Sequence, residues 1–127
     1  MKIKILITLI LLTLIAYFTY NCIYQEHRNI RTENAIYHLS SDSLFHHFKN
    51  NQTEANHLYI NQIIELKGLV KSISNDLILL HPGIACALDS NFVLGKIKIN
   101  DTLQLKARCI GFDELFGEVK MDKSVNN

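Results

Sequence analysis

Residues 54–73, EANHLYINQIIELKGLVKSI, change from the apolar period of a helix to that of a strand within a few positions. In the first half, apolar residues recur at three- and four-residue spacing, which is typical of an amphipathic helix. In the second half they alternate, with Ile64, Leu66 and Val70 on one face of a strand. Gly68 lies mid-strand, where it would relieve the bend of a long strand that coils around a barrel. We therefore expect a helix leading into the first strand of a small β-barrel.

Downstream of this stretch, four shorter segments alternate apolar and polar residues between turn-favouring positions. We expect strands at residues 77–80, 84–88, 103–109 and 118–122. Five short strands with an irregular connection between the third and the fourth are typical of an OB-type barrel. The predicted fold is therefore mainly β with an N-terminal helix: a five-stranded OB-type Greek-key barrel preceded by a transmembrane helix. A five-stranded sheet of another topology, packed against helices, is the alternative.

The N-terminal segment is long and apolar enough to cross a membrane. Residues 5–25 carry no charged side chain, and about 20 apolar residues span a bilayer core of about 30 Å. Basic residues flank the segment equally, so only the free amino terminus favours a cytoplasmic start and an extracytoplasmic domain. A cleaved signal peptide and lipidation at Cys22 are the alternatives, but residues 19–21 are bulkier than such cleavage prefers. We expect an uncleaved single-pass anchor.

Composition divides the chain into four parts. We expect an anchor over residues 1–25, a linker or stalk over 26–39, an OB-fold domain over 40–124 and a frayed tail over 125–127. From residue 38 onward nine basic residues oppose ten acidic ones, so the net charge of the domain is close to zero. This balance provides no general attraction to a polyanion.

Six segments of the domain are similar to one known family, and they lie at residues 54–59, 64–73, 84–88, 100–103, 108–112 and 117–121. In these segments the chain resembles the tRNA-anti-like OB-fold family of bacterial envelope proteins. The resemblance covers about residues 40–124, and it implies an OB fold with an N-terminal signal or anchor. It implies no catalytic residues. Members often have a cysteine near the position at which this chain has Ser124.

Residues that could support catalysis or metal binding occur without a motif. The histidines have no Cys/His or HExxH spacing, and adjacent His46 and His47 would point about 100° apart on a helix. A hydrolase that used Asp113, Glu114 or His81 would need those side chains to converge in one pocket. We therefore expect no enzymatic activity and no catalytic, cofactor-binding or metal-binding residues.

Basic residues on two strands form a candidate ligand-contact patch. Lys67, Lys71, Lys106 and Arg108 lie on outward faces that pair with each other in an OB barrel, with Glu65 interleaved. The same pattern is also typical of a solvated face, so a polyanion or lipid-headgroup contact is one of two interpretations. Binding of single-stranded nucleic acid is disfavoured, because the second and third strands lack the aromatic platforms and basic residues that such OB folds use.

Two cysteines share the parity of the apolar residues on their strands. Cys86 and Cys109 should therefore both face the barrel interior. They form either a disulfide across a narrow end of the barrel or two buried thiols, because the fifth strand separates their strands in an OB fold.

Taken together, the residues predict a membrane-anchored OB-fold binding or assembly module whose ligand is a protein or another envelope component. The exposed loops would supply the contact surface. A single-stranded nucleic-acid-binding OB-fold protein is the alternative function. The oligomeric state has no signal in the sequence.

Overall fold

A computed structural model describes residues 1–23 and 29–126 of the chain. The first element is helix α1, Lys2–Ile23, which buries none of its side chains. Among the described residues it is the one helix whose length and composition suffice to cross a membrane, and signal sequences share those properties. The last residues of the predicted anchor, 24 and 25, lie outside the described residues.

Two short helices precede the barrel. Helix α2, Ser41–Asn50, begins after Ser40, whose side chain accepts a hydrogen bond from the N–H of Ser43. Helix α3, Gln52–Tyr59, is capped in the same way by Asn51, which accepts from the N–H of Glu54. The apolar stripe of the pair packs Leu44, Phe48, Ala55 and Tyr59 into the core.

The strands form one closed barrel with an additional strand beside it. Their bounds are Tyr37–Ser40 (β1), Ile63–Ile73 (β2), Leu77–Leu80 (β3), Ile84–Leu88 (β4), Thr102–Asp113 (β5) and Glu118–Asn126 (β6). The barrel order is β2-β3-β4-β6-β5, and β5 pairs back onto β2 to close it. Strand β6 runs parallel to β4 and antiparallel to β5. The prediction of a five-stranded OB-type Greek-key barrel is confirmed.

Gly68 lies where helix α2 approaches β2 most closely, a role that the sequence did not indicate. A Cβ atom at position 68 would lie 2.8 Å from the Cβ of Ser41 and closer still to its Oγ. The register shift of β2 against β3 lies further along, between Val70 and Ser72. The glycine therefore lets the start of α2 pack directly on the strand, because any larger residue would collide with buried Ser41.

The expected linker over residues 26–39 is wrong at its C-terminal end. Residues 26–28 lie outside the described residues, but Ile30 is buried against Ile63 and Val125. Strand β1 then pairs in parallel with the first half of β2. A four-residue edge strand is too short to produce a recognisable alternation, so the sequence pattern missed it.

The expected ends of the last two strands also need correction. Strand β5 continues through Gly111, which has φ +139 and lies at a register shift, instead of ending there. Strand β6 continues to Asn126, and Val125 is buried, so residues 125 and 126 are not a frayed tail. Asn127 lies outside the described residues.

Candidate functional site

The outer face of β3 and β4 is apolar and only partly open to solvent, since Ala85 is buried and Leu77 is 37% exposed. The alternation places Ile78, Leu80, Ile84 and Cys86 inside the barrel. The opposite faces carry Leu77, Leu79, Ala85 and Ala87, and cross-strand pairs join Leu77 to Ala87 and Leu79 to Ala85. We call these four residues the β3–β4 face. In OB folds this is the surface on which ligands bind, together with the loops beside it.

The loop between β5 and β6 presents two apolar side chains to solvent. Leu115 is 86% exposed and Phe116 is 66% exposed, and we call residues 114–117 the β5–β6 tip. The Asp113 carboxylate accepts hydrogen bonds from the N–H groups of Leu115, at 3.0 Å, and Phe116, at 3.3 Å. Gly117 then adopts φ +66, which glycine tolerates without strain, and its N–H donates to the Asp113 carbonyl. The conformation of the tip is therefore fixed by the hydrogen bonds to Asp113 and by the positive φ of Gly117.

Lys120 connects the tip with the β3–β4 face. It pairs with Ala85 across the parallel ladder, and its Nζ lies 4.9 Å from the centroid of the Phe116 ring. The same ammonium group lies 3.6 Å from a carboxylate oxygen of Glu118 and 3.9 Å from one of Asp113. The charge of Lys120 is therefore largely balanced by its neighbours, which leaves the combined surface close to neutral.

An aromatic cluster supports the base of the hairpin. The ring of Phe112 stacks on Phe48 at a centroid distance of 6.3 Å and meets Phe45 edge to face at 6.4 Å. These contacts fix the hairpin against α2, since ring packing of this kind adds about 0.5–1.5 kcal/mol beyond area burial. The tip is thus held on a rigid element.

The chain is similar to a known protein family over almost its whole length. The family model described as tRNA_anti-like matches residues 1–119. The chain belongs to the tRNA_anti-like family. The resemblance drawn from the sequence is thereby confirmed, and the fold agrees with it. No curated protein and no solved structure matches the chain.

In this tRNA_anti-like protein the four basic residues of the predicted ligand-contact patch do not act as one group. Arg108 forms a bidentate ion pair with Asp122, at 2.9 Å from Nε and 2.5 Å from a terminal nitrogen, and this bond raises its pKa. Lys106 donates from Nζ to the carbonyls of Arg31 and Glu33. Lys67 and Lys71 are exposed on β2.

The remaining polar residues on the outer side of β2 and β5 are also paired. Glu65 accepts a 2.6 Å hydrogen bond from the side chain of Gln104 and forms an ion pair with His38. Lys106 and Arg108 therefore bind other groups of this chain. Lys67 and Lys71 remain exposed on β2.

Cys86 and Cys109 both face the interior, as predicted, and both are free thiols. Each is in register with Met121 from opposite sides of β6, so their Cα atoms are about two strand spacings, or 10 Å, apart. A disulfide needs about 4.4–6.8 Å, so the bonded alternative does not fit this barrel. Burial raises the pKa of each thiol to about 12.

Of the acidic pair in the hydrolase hypothesis, Glu114 lies in the β5–β6 tip and Asp113 is the last residue of β5. Asp113 caps the turn, and the structure describes no hydrogen bond or ion pair that joins Asp113 or Glu114 to His81. His81 lies exposed in the neighbouring turn between β3 and β4. These residues do not form an acid–base arrangement among the described contacts.

Sequence reasoning missed the two residues that stand out most in the structure. Leu115 and Phe116 lie in a segment without periodicity, so their exposure depends on the turn that Asp113 and Gly117 create. The sequence signal that could have identified them is an apolar pair placed between Asp113 and Gly117. Acidic residues and glycines favour turns, and side chains within a turn are exposed to solvent.

Proposed function

We propose that this chain is a membrane-anchored OB-fold module that binds a protein partner through the β5–β6 tip and the β3–β4 face, and that it catalyses no reaction. The observation that carries the proposal is the exposed pair Leu115 and Phe116 on a turn fixed by Asp113. Large apolar side chains held rigidly in water are typical anchors of protein interfaces.

The chemistry of the surface favours a protein over a nucleic acid. The β3–β4 face offers no aromatic platform, and Lys120, which pairs with Ala85, already has two carboxylate neighbours. Single-stranded nucleic acid needs a basic groove and stacked rings, each worth about 1–3 kcal/mol per base. The partner we propose therefore presents an apolar groove that accepts Leu115 and Phe116, with polar groups at its rim.

Helix α1 supports the membrane attachment, and the chain path supports the direction of the contact surface. The chain enters the domain beside Val125, where Ile30 is buried. The six residue steps of β6 between Val125 and Val119 cover about 20 Å, and the tip lies beyond Val119. The tip thus lies at the end of the barrel away from the entry of the chain, which suits a partner in the aqueous phase. We place that phase outside the cytoplasm, as the amino terminus favours.

The proposal is tested by a pair of matched serine variants in cells that make the protein. Phe116→Ser removes a ring that is 66% exposed, and Ile99→Ser removes an apolar side chain that is 58% exposed on another loop. Both should change the free energy of unfolding by less than about 0.5 kcal/mol, because neither side chain is buried. After chemical crosslinking, we expect the protein–protein adduct to fall at least about tenfold for Phe116→Ser, since an interface anchor contributes 1.4 kcal/mol or more. Ile99→Ser should keep it.

Two results would contradict the proposal. Equal adduct formation by both variants would remove the β5–β6 tip from the interface. Salt-sensitive retardation of single-stranded DNA or RNA by the protein would instead support the nucleic-acid-binding alternative, because phosphate contacts release counterions.

A further inference from the structure

A second surface lies where the chain enters the domain, at the opposite end of β6 from the tip. A cavity of about 310 Å³ opens there, and we call it the entry cavity. It is lined by Asn29, Ile30, Arg31, Asp89, Asn91, Lys123 and Val125. Its volume is at the lower end of the range of small-molecule sites, which suits a ligand of headgroup size.

Lys123 lines this cavity with a strained backbone conformation. Its φ is +48, and the other described residues with positive φ are asparagines and glycines. The left-handed region costs a residue with a long side chain about 1–2 kcal/mol relative to a right-handed one. The ladder shifts register on both sides of this residue, between Cys86 and Leu88 on β4 and between Lys106 and Arg108 on β5. Such a bulge re-aims a side chain, and Lys123 is one of the residues that line the entry cavity.

The cation of Lys123 has no hydrogen bond or ion pair to the described residues. A fold that needed only the bulge would be served better by glycine, which adopts this φ freely. A strained position that places a lysine on the wall of a cavity, with no partner among the described residues, is an observation that points to an anionic ligand.

The other polar groups are arranged to tolerate an anion. Arg31 donates to the carbonyl of Asn91 at 3.3 Å, which directs its guanidinium to the cavity rim. The one acidic side chain, Asp89, uses Oδ2 to accept from the N–H of Asn91 at 3.3 Å and from its side-chain amide at 3.2 Å. Oδ2 of Asp89 is thereby engaged within its own loop, and two basic residues line the cavity together with this one carboxylate.

The length of chain between α1 and the cavity limits where the ligand can be. Six residue steps separate Ile23 from Asn29, and even a fully extended chain covers only about 22 Å over that distance. If α1 spans the bilayer, as the proposed function holds, the entry cavity lies within reach of the lipid headgroups. Free phosphate would have the same chemistry but no reason to be concentrated there.

We propose that the entry cavity binds the phosphate of an anionic phospholipid headgroup through Lys123 and Arg31, and so orients the barrel on the membrane with the β5–β6 tip outward. This inference rests on the membrane anchoring of the proposed function. Each juxtamembrane basic residue strengthens binding to an anionic lipid surface about fivefold.

The test uses the full chain in nanodiscs of phosphatidylcholine with or without phosphatidylglycerol. Lysine acetylation rates are measured by mass spectrometry, with exposed Lys49 on α2 as an internal control. We expect Lys123 to be acetylated about fivefold more slowly when phosphatidylglycerol is present, while Lys49 changes little. Arg31→Gln should abolish most of the difference at Lys123, whereas Lys96→Gln, a matched change on the loop 89–101, should leave it unchanged.

Each other outcome overturns a defined part of the account. Equal acetylation of Lys123 in both nanodiscs by a protein that is stably inserted would refute the headgroup site and leave the anchored module intact. Protection of Lys123 by inorganic phosphate in neutral nanodiscs, to the same degree, would refute the lipid as the source. A chain that does not insert at all would refute the anchoring on which both proposals depend.

Discussion

At the scale of single residues, the clearest physical perturbation lies at the two interior thiols. Burial raises the pKa of Cys86 and of Cys109 to about 12, against an ordinary value of 9.0. The hydroxyl of Ser124 lies beside the Cys86 thiol, where it lowers that pKa slightly, and the hydroxyl makes no well-aligned hydrogen bond to the described residues. Both thiols therefore stay protonated in the folded barrel at pH values at which they ionise in the unfolded chain.

The stability of the barrel should consequently fall with rising pH because of these two groups. Each raised pKa stabilises the fold fully below pH 9, where both states hold the proton, and this contribution is lost between pH 9 and about 12. The slope is about 1.4 kcal/mol per pH unit for each thiol. Urea unfolding in reductant at pH 9 and pH 10.5 should show a steeper loss for the wild type than for Cys86→Ala/Cys109→Ala. Parallel losses would mean that the thiols are not desolvated.

The sequence predicted the inward direction of Cys86 and Cys109 correctly because parity along a strand decides which face a side chain takes. It left their pairing open, because separation across a barrel depends on which strand lies between them. The positive φ of Lys123 could not be predicted from the sequence. Its conformation follows from a bulge, and an extra residue in a ladder leaves no trace in the apolar alternation of β6.

At the scale of elements, the fold depends on how closely α2 approaches β2. Gly68 is the contact point, since Ser41 at the start of the helix occupies the space that a side chain would need. The first residue of α2 and the middle of β2 are thus in direct contact. This contact also positions the α2 aromatics under the β5–β6 hairpin.

We expect Gly68→Ala to lower the free energy of unfolding by about 2–3 kcal/mol, because the new Cβ overlaps buried Ser41. Ser72→Ala, on an exposed position of the same strand, is the control and should have almost no effect. The double variant Gly68→Ala/Ser41→Gly should recover more than about 1 kcal/mol of the loss, as coupled neighbours do. Additive losses in denaturant melts would instead favour the backbone bend that the sequence suggested.

Element bounds were predictable where alternation is long and uninterrupted. Strand β2 was recognised because its residues alternate over most of their length, and the turn at Pro82 and Gly83 separated β3 from β4. Strand β1 was missed because four residues carry too little pattern, and the end of β5 was misplaced because glycine marks a bulge as readily as a break.

At the scale of the whole molecule, the described segment between α1 and β1, residues 29–36, is part of the domain. Ile30 is 3% exposed and packs with Ile63 and Val125, which makes a second small core beside the barrel. Lys106 ties the same segment down through the carbonyls of Arg31 and Glu33. The barrel is therefore closely tied to the point at which the chain enters it.

Ile30→Ala should lower the free energy of unfolding by about 2–4 kcal/mol, because it opens a cavity in this second core. Ile36→Ala is a matched control on the same segment, since Ile36 is largely exposed, and it should cost under about 0.5 kcal/mol. Guanidinium unfolding of the two variants measures both changes in the free energy of unfolding. Equal and small effects would restore the interpretation of residues 29–36 as a linker.

The family and the barrel could be read from the sequence because they depend on strand patterning, whereas the contact surface could not. Leu115 and Phe116 become a surface only once the hairpin is closed and supported by α2. The basic patch had the opposite outcome: Lys106 and Arg108 stood out in the sequence, yet the folded chain uses both for its own packing.

The central claim is that a protein partner contacts the β5–β6 tip. Benzoylphenylalanine placed at position 116 or, as control, at position 99 is photoactivated in membranes of cells that make the protein. We predict a discrete protein adduct from position 116, lost when Leu115→Ser is added, and no matching adduct from position 99. Adducts of equal yield from both positions, or a nuclease-sensitive adduct at position 116, would contradict the account.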